Sequence, residues 1–364
     1  MNGNSFIKEI GRSYIVSSFL PAALFVSFGV FIFRGFIPKF ILDGVQEINS
    51  FLGFNKPEGL SIGALFILFM ATSWLAFYLY SSINWTVQLF EGYKFCSGVS
   101  EIMRFCLRRT WHRKQIEIYE ARRSEFEDPL APQDDELEGA RQDALAEIQD
   151  LEGYSPIDEN DLLPTRLGNV LRASECYADE RYKLNSLVMF PKLLHVFPQH
   201  FTNELEDKNN RFIFLIHSSL LAYVIGLFSL VIGLLNNFLA PFCSYKWIAE
   251  SFCGEGFISK GFSVLSPNEY IVVGLLFVMV GYGLYRVGVI AAREFALHIR
   301  AGFDLYRFDL LRQLNYRLPA TLSDEKKIWA LLSEYLVAGN RLRFAEARVR
   351  YQYHDKLKSD QSKE

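Results

Sequence analysis

The chain has 364 residues, enough for one large or two modest domains, and its composition disfavours an ordinary soluble protein. Half of the residues are apolar and 33 are phenylalanine, yet 22% are charged, which indicates membrane spans that alternate with aqueous segments. The net charge is only −3, and the basic residues lie beside the apolar stretches, which argues against nucleic acid as a partner.

Four long uncharged stretches predict membrane-spanning helices. The first, residues 14–33, is long enough to cross a hydrocarbon core of ~30 Å, and Pro21 predicts a kink in it. A signal peptide is the alternative, but the stretch exceeds the usual apolar region and Arg34, rather than an A-x-A site, follows it. The other predicted spans lie within residues 60–86, 212–245 (with the span itself ending near Asn236) and 267–286.

The positions of lysine and arginine predict how the spans are oriented. Basic residues are frequent near the N-terminus, in segment 91–211 and after the fourth span, and they are sparse in segments 35–59 and 238–267. Because cytoplasmic loops carry the excess of positive charge, both termini are predicted to lie in the cytosol, with the protein in the inner (plasma) membrane. The predicted domains are 1–90, the first transmembrane helix pair; 91–211, a cytosolic helical segment with the acidic loop 124–163; 212–292, the second transmembrane pair; and 293–364, the cytosolic C-terminal helices.

The charged segments predict a cytosolic helical bundle built from residues 91–123, 164–211 and 287–355. Residues 91–123 are expected to continue the second span as a helix. The apolar segment 187–201 is broken by two prolines and too short to span, so it lies either on the inner leaflet or, as we favour, inside the bundle. In the tail, Ser323 is the candidate N-cap of a further helix.

Arginines recur every seven residues along the helix that follows from the fourth span. They are Arg286, Arg293, Arg300 and Arg307. Seven residues are nearly two helical turns, so these side chains form one stripe with about 10 Å between neighbours. Interhelical salt bridges are the favoured role, with Glu91 and Glu101 as natural partners, and an anion-binding surface or a pore vestibule is the alternative. Arg286, at the membrane edge, is expected to extend its guanidinium to the headgroups.

One pair in this stripe carries a specific prediction. Glu91 and Arg293 lie at similar distances beyond the second and fourth spans, so they are expected to pair near the lipid and to fix the register of two adjacent helices. Arg307 is expected further out in water, where its replacement would cost less stability.

Small residues at four-residue spacing predict close helix contacts inside the membrane. They are Ser218, Ala222 and Gly226 on the third span and Gly288 and Ala292 at the base of the fourth. The spacing leaves open whether the contacts are within one chain or between subunits, although a homo-oligomer is expected. Cys243 and Cys253 are predicted to form a disulfide in the outward loop, with two unpaired thiols as the alternative.

No HExxH, GxSxG, P-loop or GxGxxG motif occurs, so no catalytic residue, metal site or cofactor is predicted. The segment PTRLGNVLRASE, residues 164–175, resembles segments of bacterial multi-pass membrane proteins and implies no activity. The predicted fold class is all-α: a four-span helical membrane protein with long helices extending into a cytosolic helical bundle.

The favoured function is that of a self-associating scaffold or effector that couples a cytosolic signal or protein partner to the lipid bilayer. An oligomeric ion channel or pore, gated by the cytosolic bundle, is the alternative, and an enzyme is a third hypothesis.

Overall fold

The computed structural model describes residues 13–32, 62–92, 161–243 and 266–338, together with Ile102 and Pro156. Every regular element in these residues is helical, which confirms the all-α prediction for the described chain. The elements are a π-helix Ile15–Phe19, α1 Leu20–Ile32, α2 Ile62–Ser81, α3 Ile83–Glu91, α4 Arg166–Tyr182, α5 Ser186–Leu193, α6 Gln199–Cys243, α7 Pro267–Gln313 and α8 Leu322–Ala338.

Within the described residues, three helical stretches are long and apolar enough to cross a membrane, and α2 with α3 would be a fourth if the bent pair is one span. The three are Ile15–Ile32, Gln199–Leu235 and Pro267–Gln313. Large apolar side chains such as Phe31 and Trp74 are exposed along the apolar helices, as contact with lipid requires. The structure therefore indicates a membrane protein.

The second predicted span is bent. α2 ends at Ser81 and α3 begins at Ile83, and the two helices differ in direction by 63°. The Ser82 hydroxyl donates a hydrogen bond to the carbonyl of Tyr78 at 2.8 Å, and such bonding of serine to the preceding turn bends helices. Uncharged residues alone do not reveal this break.

The predicted continuation of that span into residues 91–123 is wrong at its start. α3 ends at Glu91, and Gly92 follows with φ +92°, a left-handed conformation that favours glycine. A Cβ atom at Gly92 would also collide with the ring of Pro164. Apart from Ile102 and Pro156, residues 93–160 lie outside the described part of the chain, and the rest of this prediction lies with them.

The candidate span in α6 ends at Leu235, close to the predicted end of the third span near Asn236, and the helix itself continues to Cys243. The start of α8 differs from expectation. α8 is capped by Thr321 and not by Ser323: the Thr321 hydroxyl accepts the Asp324 N–H at 3.2 Å and donates to the Asp324 carboxylate at 2.8 Å.

The chain divides into two compact units. The first comprises Met1–Val87 and Asn210–Gly288, and the second comprises Gln88–Asn209 and Val289–Glu364. Helices α3, α6 and α7 each contribute residues to both units.

In the first unit, α6 and α7 pack with their backbones close together. A Cβ atom on Gly226 would lie 3.0 Å from the Gly274 carbonyl oxygen, and one on Gly233 would lie 2.9 Å from the Pro267 carbonyl oxygen. The Ser219 hydroxyl donates to the carbonyl of Gly281 at 2.8 Å. Small residues at seven-residue intervals thus allow an approach that larger side chains would prevent.

The second unit has an apolar core formed by α4, α5, α8 and parts of α6 and α7. Met189, Leu193, Phe197 and Phe201, from the apolar segment broken by prolines, lie in this core. Its other fully or nearly buried members are Ala178, Tyr182, Leu184, Leu205, Phe303, Leu310, Leu311, Trp329 and Leu332. Helix α4 begins at Arg166, and the side chain of the preceding Thr165 caps it by accepting the Gly168 N–H at 3.0 Å.

Candidate functional site: a cation–aromatic network on α7

The candidate site lies in the second unit, on the face of α7 that carries the last two arginines of the stripe. Arg300 is 7% exposed, and its guanidinium carbon lies 4.9 Å from the centroid of the Tyr177 ring. The guanidinium carbon of Arg307 lies 4.3 Å from the centroid of Tyr182. Both tyrosines belong to α4, so two cation–π contacts hold α4 against α7.

Asp304 stands between these arginines on the same face of α7. Its carboxylate accepts hydrogen bonds from the hydroxyls of Tyr177 at 2.8 Å and Tyr182 at 2.6 Å. Each tyrosine is therefore held twice, by the carboxylate at its oxygen and by a guanidinium over its ring. Residues three and four apart share a helix face, which is why Arg300, Asp304 and Arg307 act together.

The electrostatic environment keeps both tyrosines protonated. Burial, and next the hydrogen bond to Asp304, raise the pKa of Tyr177 and of Tyr182 above the ordinary value. The hydroxyls remain hydrogen-bond donors at neutral pH, which suits a fixed contact between helices.

Arg307 also binds α8. Its Nε lies 2.7 Å from the Glu325 carboxylate, whose other neighbour is the Trp329 indole N–H at 3.3 Å. The side chains of Arg307 and Glu325 are only 15% and 4% exposed. The expectation that Arg307 lies in open water is therefore wrong, because α8 folds back and covers it.

The remaining members of the predicted stripe are less enclosed. Arg286 is exposed and its Nη1 lies 3.3 Å from the Tyr282 hydroxyl. Arg293 is half-buried, and Glu101 lies outside the described residues. Glu91 is the last residue of α3, where burial and then the nearby Glu175 raise its pKa to about 7. The pairing of Glu91 with Arg293 stays a prediction.

A second charged cluster surrounds Arg172 on α4. Its guanidinium lies 2.5 Å from the Asp161 carboxylate and 3.1 Å from that of Glu175. Burial raises the pKa of the neighbouring Cys176 thiol to about 12, so this thiol is not a ready nucleophile at neutral pH. Among the described residues, no group of three or more His, Cys, Asp or Glu side chains is placed to hold a metal ion.

The predicted packing residues occupy different surroundings. Gly226 lies in the close contact of α6 with α7, and a Cβ on Gly288 would lie 3.1 Å from Ile216. Ala222 and Ala292 are buried, whereas Ser218 is half-buried. Cys243 is the last residue of α6 and Cys253 lies outside the described residues, so the disulfide stays a prediction.

Several important residues were missed from the sequence. Tyr177, Tyr182 and Asp304 are among them. Only Asp304 could have been noticed, because it lies between Arg300 and Arg307 on the arginine stripe. The closest small residues, Ser219, Gly226 and Gly233, are spaced by seven rather than four, and Gly274 and Gly281 repeat that spacing on α7.

No known family model, curated protein or solved structure matches this chain. The resemblance of residues 164–175 to bacterial membrane proteins therefore gains no support. The network fastens α4 and α8 to α7 and contains no activated nucleophile among the residues just described.

Proposed function

We propose that the protein is a four-span membrane protein whose second unit is a cytosolic helical bundle, and that it acts as a non-enzymatic scaffold or effector. In this proposal it lies in the inner membrane with both termini in the cytosol, self-associates, and couples a cytosolic signal or protein partner to the bilayer.

The observation that carries the proposal is the length and continuity of α7. Its 47 residues correspond to about 70 Å, whereas a hydrocarbon core is only ~30 Å thick. The apolar first part of this helix is long enough to span, and its last part carries Arg300, Asp304 and Arg307. After its first residue α7 contains no proline, a common cause of sharp kinks, and in this proposal the helix carries a displacement from its apolar part to its charged part.

The network supports a scaffold over the alternative channel. An oligomeric pore with a charged vestibule would need arginines that face water or ions. Arg300 and Arg307 instead lie over tyrosine rings, and Arg307 is paired with the buried Glu325. Their charges serve contacts within the chain.

The proposal is tested by asking whether the bilayer affects α8. The full-length protein would be placed in vesicles of lipids with 14- or 18-carbon chains, and hydrogen exchange of the α8 amides would be followed by mass spectrometry. A change of bilayer thickness strains the spans, and we expect it to alter exchange in α8 of the parent protein.

The matched variants are Ile290→Pro and Ile290→Ala, at a site whose side chain is 53% exposed. Proline interrupts α7, so α8 should lose its response to thickness, whereas alanine should preserve it. Equal α8 exchange of the parent in both lipids would contradict the proposal. Conductance in planar bilayers would favour the channel instead.

A further inference from the structure

The first membrane helix contains a π-helical turn that ends two residues before Pro21. In the π-helix Ile15–Phe19, the backbone N–H of Leu20 donates to the carbonyl of Ile15, five residues earlier, instead of to Val16. Such a turn holds one extra residue compared with an α-helix. The predicted kink at Pro21 is thus preceded by an insertion in the hydrogen-bond ladder.

Pro21 leaves one backbone acceptor of this turn available. In an α-helix the carbonyl of Ser17 would accept the N–H of residue 21, but proline has none. His217 on α6 takes that position: its Nδ1 lies 2.7 Å from the Ser17 carbonyl oxygen. Because a carbonyl oxygen only accepts, Nδ1 must carry the proton.

α6 holds the same segment at a second point. The Ser13 hydroxyl donates to the Asn210 side-chain oxygen at 2.6 Å. Asn210 and His217 are seven residues apart on α6 and share a face, as do Ser13 and Ser17 at four-residue spacing. His217 is 1% exposed, and no described residue offers a hydrogen-bond partner to its Nε2. The single bond to Ser17 therefore orients the ring.

If the π-turn became an ordinary α-helical turn, the segment before it would turn a different face towards α6. Leu20 would then bond to Val16, and the segment before the turn would rotate by about 100°, the angle of one residue. Ser17 would leave His217, and Ile15, now 51% exposed, would move to an orientation like that of its half-buried neighbours Tyr14 and Val16.

We propose that His217 is a register latch: it holds the first membrane helix in its π-turn register by occupying the Ser17 carbonyl that Pro21 cannot occupy. A movement of α6 that withdraws His217 releases the turn and rotates the start of the first helix. This device is independent of the scaffold function proposed above.

The test uses nitroxide labels at two exposed positions, Ile15→Cys before the turn and Leu24→Cys after it. The protein would be full length, in lipid vesicles, with its five native cysteines replaced by alanine. The measured quantity is the accessibility of each label to dissolved oxygen. In the latched protein both labels should be accessible, because both native side chains are about half exposed.

Two variants should release the latch by different routes. His217→Phe removes the donor, and Pro21→Ala supplies a backbone N–H for the Ser17 carbonyl. One hydrogen bond corresponds to a roughly five- to tenfold change in the ratio of the two registers. Accessibility at Ile15→Cys should fall in both variants, and that at Leu24→Cys should stay constant. His217→Asn, which keeps a donor, should restore the parent value.

Two results would overturn the latch. One is unchanged accessibility at Ile15→Cys in both variants. The other is an equal change at both labels in both variants, because that would mean that His217 and Pro21 support packing in general and not the register of one turn.

Discussion

Different contacts stabilise the interior of each of the two units. The first brings the backbones of α6 and α7 close through Gly226, Gly233 and Ser219, and its described polar contacts are mainly to carbonyl groups. The second has an aromatic and aliphatic core crossed by a charged network around Asp304. This contrast fits the proposed arrangement, because lipid provides no hydrophobic force between helices and makes close approach important, whereas a unit in water gains from apolar burial.

The largest expected effect concerns the charged network of the second unit. Arg307→Met keeps most of the side-chain stem but leaves the buried Glu325 carboxylate unpaired, which should cost about 3–5 kcal/mol. The matched control is Lys327→Met, whose ion pair with Asp324 is 71% and 52% exposed and should contribute under about 1 kcal/mol. Thermal unfolding in detergent, followed by tryptophan fluorescence, compares them. Equal losses would mean that burial of the Arg307 pair does not matter.

A smaller effect is expected from the glycines of the first unit. Gly226→Ala places a Cβ atom 2.9–3.0 Å from Val278 and the Gly274 carbonyl, and such overpacking typically costs about 1–3 kcal/mol. Gly283→Ala is the control, because nothing lies within 4 Å of the added atom and alanine favours a helix. Melting temperatures in the same detergent should fall for the first variant only. A fall for both would show that helix flexibility, not close approach, explains the glycines.

Removing the N-cap of α8 is expected to lower the free energy of unfolding by about 1 kcal/mol. Thr321→Ala removes the acceptor of the Asp324 N–H, and loss of an N-cap costs about 0.5–2 kcal/mol. Ser323→Ala, at the position that the sequence had suggested, should leave unfolding by urea unchanged. A loss of stability in Ser323→Ala but not in Thr321→Ala would identify Ser323 as the N-cap of α8.

The smallest expected effect depends on pH. Glu91 has a pKa of about 7, above the ordinary value of 4.5, because burial and Glu175 disfavour its charge. A carboxyl group with a raised pKa in the folded state stabilises the fold below pH 4.5, and that contribution is lost as pH rises through 7. Glu91→Gln should therefore be more stable than the parent at pH 8 by up to about 1 kcal/mol, since exposure screens the charge.

The measurement is the melting temperature of both proteins at pH 5 and pH 8. Glu334→Gln, at an exposed position of α8, is the control for the removal of an exposed carboxylate, and its melting temperature should match that of the parent. A Glu91→Gln protein that loses stability at pH 8 would indicate that the Glu91 charge is paired, as the predicted contact with Arg293 requires.

The sequence patterns predicted where the long helices lie, but not which residue of another helix Arg307 contacts. Uncharged length located the long apolar helices, because the length of an apolar stretch can be read directly from the sequence. The bend at Ser82 was missed because serine bonds to the preceding turn only in some surroundings. The heptad of arginines predicted one helix face, but a face does not reveal what covers it. Glu325 reaches Arg307 only because α8 folds back.

The central claim, a membrane protein whose second unit is cytosolic, is tested most directly by labelling single cysteines in intact cells. In a background without native cysteines, Asn268→Cys lies at the exposed start of α7 and Glu180→Cys on the exposed face of α4. With a membrane-impermeant maleimide, we expect Asn268→Cys to be labelled at once and Glu180→Cys only after the membrane is permeabilised. Labelling of Glu180→Cys, but not of Asn268→Cys, in intact cells would contradict the account.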